Sequence, residues 1–566
     1  MDLLCYEHDQ GFVIERFKLG EFDYIDAANE VVEADFFRFI GAKGYLAELA
    51  KSYPTPRKKE EVPTWFYLSS NLSMRLHGVQ SFHAYPYVVR CGGMLHAFGP
   101  QVARKTTHPD TGDVTLVCGG FNDKNDYDRQ TPCDQDYLRK LAKDTDRDQL
   151  VDWFNRDVAG LFRRHKLFAA DGLWIGDGSY VFVPDNDAYE GSARMLFDEH
   201  DHPIDSAKLA ALSPQAATRC RWRRCYKLVS LLYVDRARDF FLRAAMRLVA
   251  GNEHEGPILY ELVDKFVEQV GEGVIRRLLL DRGFIDGERI AHCKRKLGID
   301  ILIPVRKDMD VYEDVLGLLK LNEVEFTEYR APERKPVDAP RLPHSPEPVR
   351  KRELKRQRTV KTKAEAAVQA APPPPPEEVL VRSEVAGLEG LRSLTSCSVP
   401  LNVVVNRDVY ADGHAELWML LDTKIFSDGD GPPQRRAEYA VRTDIEEGHR
   451  QLKCFWDLAR FTSRAFSLVL NQVVFVLLAY NLLQIFLRSQ AAPPLSRRTR
   501  PRARDLLVPT ANVVIIYVEN RFATFSPMAY TEFLLALEEE ARVRILTRLR
   551  RLRAEPGLEL RLARPP

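Results

Sequence analysis

Residues Tyr439 to Lys453 read Tyr-Ala-Val-Arg-Thr-Asp-Ile-Glu-Glu-Gly-His-Arg-Gln-Leu-Lys. No Gly or Pro interrupts the run before Gly448, and a Leu/Phe/Trp-rich segment follows, so the spacing predicts a helix. At about 100° per residue, Tyr439, Arg442, Glu446, Arg450 and Lys453 fall in one sector of its surface. That face carries a carboxylate flanked by a phenol and three cations. A solvated face with mixed charges has the same spacing, so the pattern alone leaves both readings open.

Two upstream segments each offer a carboxylate on a strand. Leu173 to Pro184 alternates and is rich in β-branched and aromatic residues, yet its centre is Gly176-Asp177-Gly178. Glycines weaken a strand unless something approaches its backbone closely. Asp177 is therefore the candidate, with a strand-end turn as the plainer reading and Asp171 and Asp185 as neighbouring competitors. Val274 to Leu280 is an apolar strand ending in Asp281-Arg282-Gly283-Phe284, followed by a helix over 287–297 and a strand over 300–307. An α/β fold presents a carboxylate in this way at the carboxyl end of a strand. An Asp that merely caps the next turn would look the same in isolation.

The pattern Tyr-x2-Arg-x3-Glu-x6-Lys, met without departure at Tyr439, Arg442, Glu446 and Lys453, resembles the signature of the DDE transposases of bacterial insertion sequences, in the branch named for those four residues. Asp-Gly-Ser at Asp177 and Asp-Arg-Gly-Phe at Asp281 resemble the first and second Asp motifs of the same family, in the required order. The resemblance spans roughly 170–490. It implies an α/β RNase H-like mixed sheet flanked by helices, interrupted by a β-rich insertion and preceded by a helical N-terminal module. It implies a catalytic, metal-binding triad of Asp177, Asp281 and Glu446 holding two Mg²⁺, with Mn²⁺ as a substitute. Tyr439, Arg442, Arg450 and Lys453 would bind DNA. Three carboxylates suit hard divalent ions that leave positions open for water and phosphate, and two such ions serve an in-line displacement at phosphorus.

The implied activity is cleavage at the ends of an insertion sequence and joining of the 3′-OH ends to target DNA. The partners would be double-stranded DNA, as terminal inverted repeats and target, and a second copy in a homodimer. A metal-dependent nuclease, or an inactive DNA-binding relative, would use the same fold.

The rest of the chain fits around this core. Its 566 residues exceed one domain, and 45% apolar with 29% charged residues suits folded cores. A net charge of +1 says little about partners, because 82 basic and 81 acidic residues can segregate in space. Nine scattered Cys with no Cys-x2-Cys pair read as thiols of a reducing compartment, neither a disulfide framework nor a zinc site. The first residues lack a basic region before an apolar core, so no secretory leader is expected, and a cytoplasmic, nucleoid-associated location is. Ala465 to Leu487 has no charge over 23 residues. Its length suits a membrane span, but Asn471, Gln472, Asn481 and Gln484 favour a helix buried in protein, with no membrane partner.

The expected organisation is a helical module over 1–168 with a role in DNA binding, the first part of the core over 169–307, and an insertion over 308–435. The signature and final core helices take 436–490, and a C-terminal region with an Arg-rich helix takes 491–566. Within the insertion, 331–382 is Pro- and Lys/Arg-rich and reads as a disordered tether. The segments 401–410 and 415–423 around Ala-Asp-Gly-His read as a hairpin. Trp418 could stack on an unpaired base or pack in a core. Arg219, Arg221, Arg223 and Arg224 could line a groove or form a solvated edge.

Overall fold

The computed structural model describes residues 7–85, 104–107, 114–117, 133–332, 379–489 and 511–554, apart from 31, 60, 61, 236, 238, 239, 322, 323 and 520. Most of the expected tether, and the basic linker after residue 490, lie outside the described residues. Near the amino terminus come β1 (Glu7–His8), β2 (Tyr24–Glu30), β3 (Arg104–Thr107) and β4 (Val114–Val117). The core strands are β5 (Leu173–Val183), β6 (Ala193–Phe197), β7 (Arg221–Val234), β8 (Phe241–Ala250), β9 (Arg277–Leu279) and β10 (Asp300–Pro304). Then follow β11 (Thr327–Tyr329), β12 (Leu380–Leu391), β13 (Leu401–Tyr410), β14 (Ala415–Asp422), β15 (Ala511–Val518) and β16 (Arg521–Phe525).

The core strands lie in the order β8-β7-β5-β9-β10, with β7 antiparallel to β5 and the other four parallel to one another. First strand central, second antiparallel beside it, fourth and fifth on the other side: this is the RNase H-like sheet. The apolar runs make it possible, since the paired segments Trp174–Ile175 of β5 and Leu278–Leu279 of β9 are buried on both faces, as a parallel pair at the centre of a sheet requires. β6 shares the outer edge of β7 with β8.

The expected insertion is part of the same sheet. β14 pairs antiparallel with β10, and β13, β12 and β11 follow antiparallel, giving a ten-stranded sheet. The hairpin of β13 and β14 turns at Ala411 to His414, with Gly413 at φ 88° as the turn requires. Trp418 packs within this sheet. Its Nε1 donates to Asp408 Oδ2 at 2.8 Å, and Arg436 lies over its ring.

Helix Glu255–Val270 covers one face of the core sheet, where a Cβ on Gly176 would meet Leu259 Cδ2 at 2.6 Å and one on Gly178 would meet Glu255 Oε2. The close approach that the two glycines signal is therefore this helix. On the other face, Val441 and Ile445 pack with Ile175, Leu279 and Leu302. The apolar segment is a helix, Phe466–Ser489, with 89% of its most apolar window buried inside the protein. Several of its polar groups find partners there. Asn481 exchanges two 2.8 Å hydrogen bonds with the backbone of Arg243, and Asn471 donates to Tyr67 Oη at 3.0 Å. The helices of the N-terminal region, including Thr64–Leu76 and Gln135–Asp144, surround it and share its core.

The two ends of the described chain come together. β1 and β2 pair with β16 and β15 in a four-stranded sheet, order β1-β16-β15-β2. Val13, Phe17 and Phe22 share a core with Ile515, Phe522 and Ile545 of the carboxyl-terminal region. The segment Tyr530 to Arg553, expected as one Arg-rich helix, falls in two, Pro527–Ala536 and Glu539–Ala554, with the arginines on the second.

One buried ionic cluster ties three of these parts together. Asp422 at the end of β14 takes both terminal nitrogens of Arg277 on β9, at 2.5 and 2.9 Å, and lies 2.6 Å from Arg435 Nε. Arg277 also donates to Glu438, on the same helix as Arg435, Pro432–Tyr439. Asp422 is fully buried, so removing its charge leaves two buried guanidinium groups, Arg277 beside Glu438 and Arg435 beside Asp430, each short of one carboxylate in a low-dielectric interior. Asp422→Asn is expected to destabilise the protein by about 3–5 kcal/mol and to raise hydrogen exchange over 432–455. An unchanged melt and exchange pattern would remove this cluster from its structural role.

Candidate active site

The register decides where the two aspartates stand. Ile175 on β5 is level with Leu279 on parallel β9, and Asp177 and Asp281 each come two residues later. They therefore emerge side by side on neighbouring strands roughly 4.8 Å apart, on the face that Val441 and Ile445 cover. Asp177 Oδ1 accepts from the Gly178 backbone N–H at 2.9 Å, and Asp281 Oδ1 from that of Arg282 at 2.7 Å.

The signature stretch is not one helix. Pro432–Tyr439 is followed by a tight 3-10 turn, Ala440–Arg442, and by a second helix, Thr443–Phe455. With three residues per turn, Tyr439 and Arg442 stack on the same side, and both reach the end of β9. Tyr439 Oη lies 3.5 Å from the Leu280 carbonyl oxygen, and Arg442 Nη2 lies 3.2 Å from Asp281 Oδ2. The same guanidinium stands 3.9 Å from Asp177 Oδ2 and donates through Nη1 to Glu446 Oε1 at 2.8 Å. All three predicted carboxylates thus converge on Arg442.

The two other cations diverge. Lys453 Nζ donates to Ser179 Oγ at 2.8 Å, two residues along β5 from Asp177. Arg450 pairs with Glu447 at 2.7 and 2.8 Å and lies over the Phe455 ring, so it turns away from the carboxylates. The basic cluster at the start of β7 is largely paired: Arg219 with Glu199, Arg223 with Asp201, and the buried Arg224 with Asp187.

Two residues near Asp177 escaped the sequence reading. His449 Nε2 is buried without a hydrogen-bond partner, 3.8 Å from Asp177 Oδ2. At three residues beyond Glu446 it lies at the edge of the predicted face, which is the signal that could have found it. Arg243 on β8 is buried beneath the helix, donating to Ser230 Oγ at 2.8 Å and reaching the Ile445 carbonyl oxygen at 3.4 Å. A Cβ at Gly448 would stand 2.6 Å from Arg243 Nη2, which explains a glycine in mid-helix despite its cost of ~1 kcal/mol.

Burial pushes the Asp177 carboxyl up to about 7, with Arg442 opposing and Glu255 and Asp281 adding to the rise. Burial, with Arg243, Lys453 and Arg442 nearby, holds His449 well below its usual range, so its imidazole is neutral. Burial also pulls Lys453 down. It raises Tyr439, keeping the phenol protonated as a donor.

Among the described residues, no three acidic, imidazole or thiol groups stand close enough to hold a metal ion as arranged. The carboxylates are spaced by the guanidinium between them. Their chemistry nonetheless fits a hard divalent cation: oxygen donors from three elements, gathered around one positive charge and partly open to solvent.

Residues 194–482, just over half of the chain, match the family model described as "Transposase DDE domain". The chain belongs to the DDE transposases. The match takes in Asp281 and Glu446 and begins after β5, the strand of Asp177. No curated protein matches the chain. Among solved structures, a cryo-EM structure of a piggyBac transposase synaptic complex with hairpin DNA aligns at 12% identity over 95% of this chain and 85% of that one, with a TM-score of 0.33. A likeness of that size adds nothing to the strand order, on which the fold assignment of this transposase rests.

The elevated Asp177 carboxyl has a measurable consequence. The folded protein keeps this proton up to about pH 7, whereas an unfolded Asp loses it near about 3.9. Between those values the folded state binds more protons, so this group's contribution to stability falls as pH rises and stays lowest above the window. Asp177→Asn, which cannot ionise, is expected to melt above the wild type in EDTA at pH 8. The gap should close toward pH 4.5, and a gap that does not change with pH would contradict the shift.

Proposed function

We propose that this transposase cleaves DNA at the ends of an insertion sequence and joins the freed 3′-OH ends to target DNA, with Asp177, Asp281 and Glu446 as ligands of two divalent ions, Mg²⁺ or Mn²⁺. The observation that supports the reading best is the convergence of the three carboxylates, two level on adjacent parallel strands and one from the helix above, on a single guanidinium. Bound divalent ions would supply activation of the attacking oxygen and stabilisation of the leaving 3′ oxygen.

The chain's own residues supply the rest. Asp177 is fixed by the strand and by the Gly178 N–H, so its carboxylate is held in place before substrate arrives. Tyr439 offers a phenolic donor, and Arg442 and Lys453 offer cations beside the carboxylates, so the scissile phosphate has charge-assisted donors on the side where the acid groups would repel it. Arg450, paired with Glu447 at the surface, would contact DNA only farther from the reacting phosphate. Nicking and strand transfer are one displacement at phosphorus with different attacking oxygens, water first and then the 3′-OH, so one site serves both. Two ends joined to one target call for two such sites, which is the basis for proposing a homodimer on DNA.

The test is purified protein with duplexes carrying candidate element ends, with and without Mg²⁺. Nicking and joining should need the ion. Glu446→Gln and Asp281→Asn should reduce both to background while end binding, read by gel shift, is kept. Nicking at wild-type rate in Glu446→Gln would overturn the assignment of the triad. Cleavage without joining would leave a nuclease in place of a transposase.

A further inference from the structure

One guanidinium answers all three proposed metal ligands. Arg442 Nη2 faces Asp177 Oδ2 at 3.9 Å and Asp281 Oδ2 at 3.2 Å, while Nη1 holds Glu446 Oε1 at 2.8 Å. Its side chain is only 15% exposed, and its Nε has no partner. Three acid groups this close repel one another, and Arg442 supplies the positive charge that lets them gather. Coordination makes a different demand. Oxygens around a small divalent ion close to about 2.1 Å from it, and a planar guanidinium cannot remain among them at that spacing. The same three carboxylate oxygens therefore serve either Arg442 or an ion.

We infer that Arg442 is a built-in competitor of the metal: it holds the three carboxylates together in the metal-free protein, and a divalent ion must displace it. The inference rests on the proposed metal-binding role of Asp177, Asp281 and Glu446. The displaced guanidinium stays at the mouth of the site, where Glu446 and Asp281 are 57% and 40% exposed, and it is there free to take a DNA phosphate. Binding linkage then runs both ways: a phosphate that engages Arg442 removes the competitor and tightens metal binding, and metal binding presents the cation to the phosphate. Metal loading and DNA binding would favour each other without direct contact between ion and phosphate.

Mn²⁺ binding to the DNA-free protein, followed by the EPR signal of the free ion, reads this without catalysis. Arg442→Gln is expected to bind Mn²⁺ at least about fivefold more tightly than the wild type, and Arg442→Lys, one charge without the fork, to fall between. Asp177→Asn should bind more weakly than either. Short duplex DNA should tighten Mn²⁺ binding to the wild type and leave Arg442→Gln little changed, a comparison in which the wild-type half needs no variant to fold. Equal or weaker Mn²⁺ binding by Arg442→Gln, with binding still lost in Asp177→Asn, would overturn the competition and leave the metal site standing. Failure of both wild type and Arg442→Gln to bind Mn²⁺ would overturn the metal site and the competition together.

Discussion

Asp422 and its two guanidinium partners set the geometry on which the site depends. Taking these charges out of water is costly, and it succeeds here because Arg277 meets the carboxylate with two parallel hydrogen bonds while Glu438 beside Arg277 and Asp430 beside Arg435 offset the remaining positive charge. Arg277 opens the strand that delivers Asp281 four residues later. Arg435 lies on the helix that runs into the 3-10 turn and Arg442. Asp422 closes β14, the insertion strand beside β10. The insertion is thus more than an appendage on the sheet edge: through one buried carboxylate it fixes the entry of the signature segment relative to the strand of the second aspartate.

Glycine performs the complementary task of making room. Gly176 and Gly178 let helix Glu255–Val270 lie against β5, and Gly448 lets Arg243 pass beneath the signature helix toward Asp177. A side chain at any of these positions would have to move a neighbour that itself orders the site. This is why a strand with two glycines at its centre is stable here: the lost β-propensity is offset by the burial of Leu259 against the sheet.

The core was legible because its signals are local. The β-branched runs, the Asp at a strand end and the four-residue signature all stand within single segments, and they placed Asp177, Asp281 and Glu446 on the elements where they are found. What stayed hidden depends on contacts distant in sequence. Nothing near Arg442 says that its guanidinium will lie among carboxylates from two other elements. Ideal helical spacing put Arg450 beside Lys453 on one helix face, but Glu447 captures the Arg450 guanidinium while Lys453 reaches Ser179, and the 3-10 turn shifts the phase of Tyr439 and Arg442 against both. Arg243, whose role needs β8 under the helix, carries no motif at all. The pairing of β2 with β15 joins residues nearly 500 positions apart, beyond the reach of any periodicity.

The three carboxylates are held with unequal firmness, and that inequality has a physical use. Asp177 sits in the middle of a strand, bound to a backbone N–H and faced by a neutral imidazole. Burial makes its charge expensive while the surroundings fix its position. Asp281 is held at a strand end by one N–H and is partly open. Glu446 is the most exposed, on a longer side chain, and pairs with Arg442. A site that must exchange a guanidinium for a doubly charged ion needs one fixed ligand to define the position and one mobile ligand to close on it. In the proposed chemistry, Asp177 supplies the first and Glu446 the second. The neutrality of His449 fits this division, because a fourth positive charge beside Asp177 would oppose the arrival of any further cation.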